Sequence, residues 1–132
     1  MDERQSGNSP EAARANLEAE GAAARSALVT ADMTAAPFPD AAFDVALSSL
    51  AFHDIEHGHS WSPARPRALD EAVRVLKPGG RLVITDILRA EDYATYPKEL
   101  GMTQVGQQPL GWQFWFARWF GASLVTARKP LT

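Results

Sequence analysis

Asp32, Ser49, the histidines at 53, 57 and 59, and the glycine pair 79–80 are the residues whose types and spacing could do chemistry. Histidines four apart on a helix can share a metal ion. Gly58 interrupts "HDIEHGH" at that point, so the stretch reads as a loop and no metal is assigned. There is no cysteine, which excludes disulfides and thiolate metal sites and fits a reducing, cytoplasmic compartment. Gly79-Gly80, in "LKPGGRLVITD", lies where a phosphate loop would if a helix followed. A β-prone run follows instead, so the pair reads as a turn permitting positive φ.

These residues need elements to aim them. Ser9-Pro10-Glu11 is a helix start: a capping hydroxyl, a proline suited to the first turn, and an acid at the positive end of the dipole. The helix runs through "EAARANLEAE" and ends at Gly21. "SALVTAD" is a short β-prone run ending at Asp32, and "FDVALSSL" is an apolar strand of the kind covered on both faces. Leu69, Ala72, Val73 and Leu76 share one face of a helix that Pro78 stops, and "RLVITDIL" is the next strand. A helix over "EDYATYPKELG" follows, with an interruption expected at Pro97. "MTQVGQQPL" and "ASLVTARK" close the chain as an antiparallel pair around the aromatic run 112–120. The order α-β-β-α-β-α-β-β predicts one α/β domain, residues 1–132, with a mostly parallel Rossmann-like sheet and an antiparallel terminal pair.

A net charge of −3 without a basic stripe argues against a nucleic-acid partner. The only membrane-like stretch, Leu110–Ala127, carries Gln113 and Arg118 at its middle, so no membrane partner is expected.

"VTADMTAAPFPDAAFDVALSSLAFHDI", "ALDEAVRVLKPGGRLVITDI", the helix before "LGMTQV", and "LVTARKP" together resemble the class I S-adenosylmethionine-dependent methyltransferases, of the methyltransferase domain 11 type. The likeness covers most of the chain from about Ser9 onward. It implies S-adenosyl-L-methionine as cofactor and a small molecule as methyl acceptor. It places Asp32 where the family's acid accepts a hydrogen bond from the adenine amino group, and Met33 against the ring. A carboxylate accepts only, and a thioether suits an aromatic face. The alternative for Asp32 is a loop cap. Ser49 falls near the methionine half of the cofactor, the alternative being a local backbone hydrogen bond. His53 falls where the acceptor approaches and could orient it or take a proton. No catalytic residue is assigned.

The family's first strand ends in an E/DxGxGxG run, and none exists here. The resemblance therefore implies the C-terminal part of the domain, without the first two strands of the family order 3-2-1-4-5-7-6. An isolated chain of this kind is expected to be inactive or weak. It would leave an open sheet edge able to meet a second copy or a partner chain. A non-catalytic module that completes its sheet with such a partner is the rival expectation.

Overall fold

The computed structural model describes residues 9–49, 51, 64–86, 90–111, 115–116 and 120–132. They fall into two compact units, Met1–Asp32 and Met33–Thr132.

In the first unit, helix α1 spans Pro10–Ala19. Its start follows the sequence: Ser9 Oγ accepts from Ala12 N at 3.1 Å, Pro10 opens the first turn, and Glu11 sits near the positive end. Gly21, at φ +64°, ends it, and Ala22 N closes back on Leu17 O at 2.8 Å. A 3-10 turn over Ala23–Arg25 follows. The expected strand over "SALVTAD" does not form: residues 26–32 make no ladder, and Leu28 and Val29 are exposed. β-propensity needs a partner to satisfy backbone groups, and no neighbouring strand is present for this segment among the described residues.

The second unit is built on a four-stranded sheet. Its strands are β1 (Phe43–Ser49), β2 (Leu76–Asp86), β3 (Thr103–Pro109) and β6 (Ser123–Arg128), in the order β1-β2-β6-β3. β1 and β2 are parallel, whereas β6 is antiparallel to both β2 and β3. Helices α2 (Ala64–Val75) and α3 (Ala90–Glu99) connect them, and a small ladder pairs β4 (Trp115–Phe116) with β5 (Phe120–Gly121). The sheet is thus the 4-5-7-6 half of the order the resemblance implied, and the closing strands pair antiparallel as expected.

One sheet face carries the core. Leu82 and Ile84 of β2 and Val125 and Ala127 of β6 pack in one cluster with Ala68 and Leu69 of α2 and Ala94 of α3. Leu69, fully buried, contributes on the order of 1.5–3 kcal/mol by leaving water. Ala72 and Val73 pack at its margin, as the helical spacing requires, and Leu76, expected on the same helix face, is fully buried as the first residue of β2. The alternate side chains of β1 point the other way, and Val45 and Leu47 are 54% and 72% exposed. The expectation that β1 is covered on both faces is therefore not met.

The "LKPGG" joint also differs from its expected form. α2 ends at Val75 and β2 begins at Leu76, so Pro78, Gly79 and Gly80 lie inside the strand, at an irregularity in its pairing with β1. Gly79 takes φ +78°, the positive φ anticipated. Gly80 is required for space: a Cβ there would lie 2.8 Å from Lys77 O and 3.1 Å from Asp44 O. With no turn to satisfy them, the carbonyls ending α2 find donors elsewhere. Ala41 N and Ala42 N bond Arg74 O and Val75 O at 3.0 and 2.8 Å. Lys129 Nζ donates to Val73 O at 2.8 Å and Leu76 O at 2.7 Å. Pro97 does not interrupt α3 but lies inside it, and is buried.

Candidate functional site

In a sheet with parallel strands, ligands gather beyond the carboxyl ends. Here that rim is the end of β1 and β2, where Ser49 pairs in register with Thr85 and Asp86 follows. Ser49 is exposed, so its hydroxyl is accessible to a ligand. Ser48, one residue earlier, has its Oγ buried without a hydrogen-bond partner among the described residues. Asp86 is 2% exposed at the same rim, a buried carboxylate that the sequence reading left without a role. Its signal was available: an acid ending a β-prone run, as at Asp32.

The loop ahead of β1 is tied down by α2. Glu71 accepts from Arg74 Nε at 2.8 Å and Nη2 at 2.9 Å, and from Ala36 N at 2.8 Å. Arg74 also donates to Phe38 O, Ala36 O and Asp40 Oδ1. The hydrogen bond from Arg74 holds the Glu71 carboxyl below its ordinary value against the opposing effect of burial, and the Ala36 N–H adds to it. Glu71 and Asp40 in turn raise the already high value of Arg74. The Phe38 ring stands edge-on to Phe43 at 5.0 Å, which fixes "PFPDAAF" against the base of β1. Phe38 and Asp40 are therefore packing and loop-anchoring residues, with Pro39 between them.

Met33 opens the second unit in a turn and is 36% exposed, and Asp32 ends the first unit in an exposed, irregular segment. The two adjoin along the chain, while Ser49 ends β1. His53, His57 and His59 lie outside the described residues, as do the side chains of the aromatic run. Among the described residues, no cluster of three His, Cys, Asp or Glu could hold a metal ion. Nor, among them, is any helix long and apolar enough to cross a membrane.

For S-adenosylmethionine the residues present make a partial set. Within the second unit, the rim offers the exposed Ser49 at the end of β1 and the buried Asp86 carboxylate at the end of β2. Nothing suits the ribose hydroxyls and the amino-acid end in the same way, because the chain has no E/DxGxGxG run.

Sheet order, helix placement and rim define a Rossmann-like methyltransferase half-sheet. The methyltransferase domain family, Methyltransf_11, matches residues 5–84, and the chain belongs to that family of S-adenosylmethionine-dependent enzymes. It is 42% identical over 77 residues to a ubiquinone/menaquinone biosynthesis C-methyltransferase UbiE of Ruegeria, covering 58% of this chain and 28% of that protein. It is 34% identical over 79 residues to the sterol 4-C-methyltransferase strm-1 of Caenorhabditis elegans, covering 60% of this chain and 22% of that one. The chain thus spans less than a third of the length of either relative. Among solved structures, the [4+2]-cyclase SpnF aligns at a TM-score of 0.73 and 18% identity, covering 92% of this chain and 63% of its own. A Burkholderia thailandensis 1,6-didemethyltoxoflavin-N1-methyltransferase, solved with S-adenosylhomocysteine, aligns at 0.67 and 19%, covering 92% and 58%. At these identities the structural likenesses speak for the fold alone, and the first of them is named for a cyclisation.

Proposed function

We propose that this chain is part of a methyltransferase domain that acts on a small molecule, and that alone it transfers methyl groups weakly or not at all. The sheet carries the proposal: among the described residues it ends at β1, whose Leu47 is 72% exposed, where a cofactor cradle would need a further wall. In this reading Asp32 accepts from the adenine amino group, Met33 lies on the ring, and Ser49 faces the methionine half. His53 orients the acceptor. S-adenosylmethionine, when bound, supplies an electrophilic methyl on a sulfonium, and transfer from it needs in-line positioning above all. The ubiquinone/menaquinone and sterol methyltransferases among the relatives support a small-molecule acceptor. Titration calorimetry with S-adenosylmethionine tests the reading. No saturation below about millimolar is expected, roughly −4 kcal/mol or weaker, and micromolar binding by the 132-residue chain would overturn the predicted weakness.

The exposed apolar residues of β1 also favour a second reading, a non-catalytic module whose sheet is completed by a strand from a partner or a second copy. Sedimentation of a clean monomer at tens of micromolar would count against self-pairing.

A further inference from the structure

The sheet face opposite the core carries a polar pocket at the middle of β2, where the pairing with β6 begins. Arg81 of β2 and Arg128 of β6 stand directly opposite one another in the antiparallel register. Like charges so placed repel across the ladder. Neither guanidinium has a carboxylate partner among the described residues, although the chain carries 16 acids against 13 bases. Together with Val83, Gln104, Thr126 and Ala127 they line a cavity of about 250 Å³, and no acid is among its lining residues.

β3 is shaped around the same spot. Its pairing with β6 slips between Thr103 and Gly106, and Gln104 in that slip takes φ +51°, a conformation uncommon outside glycine. Bulges of this kind re-aim side chains, and here the bulged residue lines the pocket. Gly106 faces Thr126: a Cβ there would come within 3.3 Å of Thr126 Oγ1, so glycine keeps that hydroxyl uncrowded. The lining therefore offers two guanidinium forks, an amide and a hydroxyl.

We propose that this pocket binds the phosphate group of a small phosphate ester. Paired guanidiniums match a tetrahedral oxyanion with two-pronged, charge-assisted hydrogen bonds. The dianion converts the Arg81–Arg128 repulsion into a shared attraction. A cavity of 250 Å³ is several times the ~30 Å³ share of one water, which leaves room for a sugar-sized body beside the phosphate. Arg81 lies five positions before Asp86 on β2, about 16 Å at the strand's rise. Val83, the β2 lining residue nearer the rim, lies three positions before Asp86, about 10 Å, so the two guanidiniums stand apart from the rim at Ser49. The pocket does not depend on the methyltransferase reading.

Thermal melts of the whole chain test the assignment, in inorganic phosphate, in ribose 5-phosphate, and in sodium chloride at matched ionic strength. A saturable rise in Tm with both phosphates, absent in chloride, is expected. Arg81→Gln and Arg128→Gln should each weaken that binding at least tenfold. In phosphate-free, low-salt buffer each should melt at or above the wild type, because a repulsion has been removed. That second readout also shows that the variants fold. Equal rises in phosphate and chloride, or variants that keep the phosphate effect, would overturn the site. A ribose 5-phosphate affinity no tighter than that of inorganic phosphate would overturn the ester.

Discussion

Arg74 and Glu71, one turn apart on α2, meet through two hydrogen bonds of 2.8 and 2.9 Å, and between them they hold the backbone of the loop at Ala36 and Phe38. Loop order therefore depends on the charge of one carboxylate. Because Glu71 titrates below its ordinary 4.5 in the folded state, its contribution is complete above that value. It is lost as pH falls below 4.5 and through the lowered value, since the unfolded chain takes up the proton first. Glu71→Gln should therefore lower Tm at neutral pH and flatten this part of the acid limb below pH 4.5. An unchanged acid limb in the variant would sink the assignment.

Gly80 tests the joint between α2 and β2. In Gly80→Ala, the added methyl meets two backbone oxygens, neither of which can swing aside as a side-chain tip could. Urea unfolding should show a loss of about 1–3 kcal/mol, the usual range for overpacking. A neutral result would mean that the two strands separate there at little cost.

Lys129 closes the end of α2 through its ammonium group. Lys129→Met keeps most of the aliphatic stem and removes the donors to Val73 O and Leu76 O. The expected loss is about 1.5–3 kcal/mol, the range for hydrogen bonds made by charged groups. Faster amide exchange at Ala41 and Ala42, which bond the same helix end, should accompany it.

Leu47 reports on the open edge of the sheet. At 72% exposure it has little burial to lose, so Leu47→Lys should leave the melting temperature within a degree or two. Light scattering at high concentration should fall, because an inserted lysine on an edge strand discourages pairing with other chains. A large drop in Tm would mean that Leu47 is covered in solution.

The second unit was readable from sequence to the extent that its contacts are local or periodic. Leu69, Ala72 and Val73 announced the buried face of α2, and in the first unit the cap at Ser9 announced the start of α1. Ser26–Asp32 misled because strand propensity is realised only beside another strand, and a single sequence does not reveal a missing neighbour. Pro78-Gly79-Gly80 misled in the opposite way. Such residues normally break structure, yet Ala41, Ala42 and Lys129 take up the helix-end carbonyls and let the strand start at once. At the rim, Ser49 was legible as a strand end. Asp86 went unassigned because its burial arises in the folded sheet, where it pairs with Ser123 of β6, a strand more than thirty residues away. The opposition of Arg81 and Arg128 depends on a pairing register that forms across more than forty residues, which no local pattern encodes.

β6 is the latest of the four sheet strands in sequence yet sits between β2 and β3. β3 reaches the sheet only through it, and β2 has only β1 beside it until it arrives. During synthesis, residues 103–109 therefore leave the ribosome with no strand to join, while β2 presents an apolar edge for the time needed to make some forty further residues. Closing the sheet is a late, long-range event, slow by the usual dependence on contact distance. A chain truncated before Ser123 should stay open to proteases, and restoring 123–128 should end that exposure in a single step.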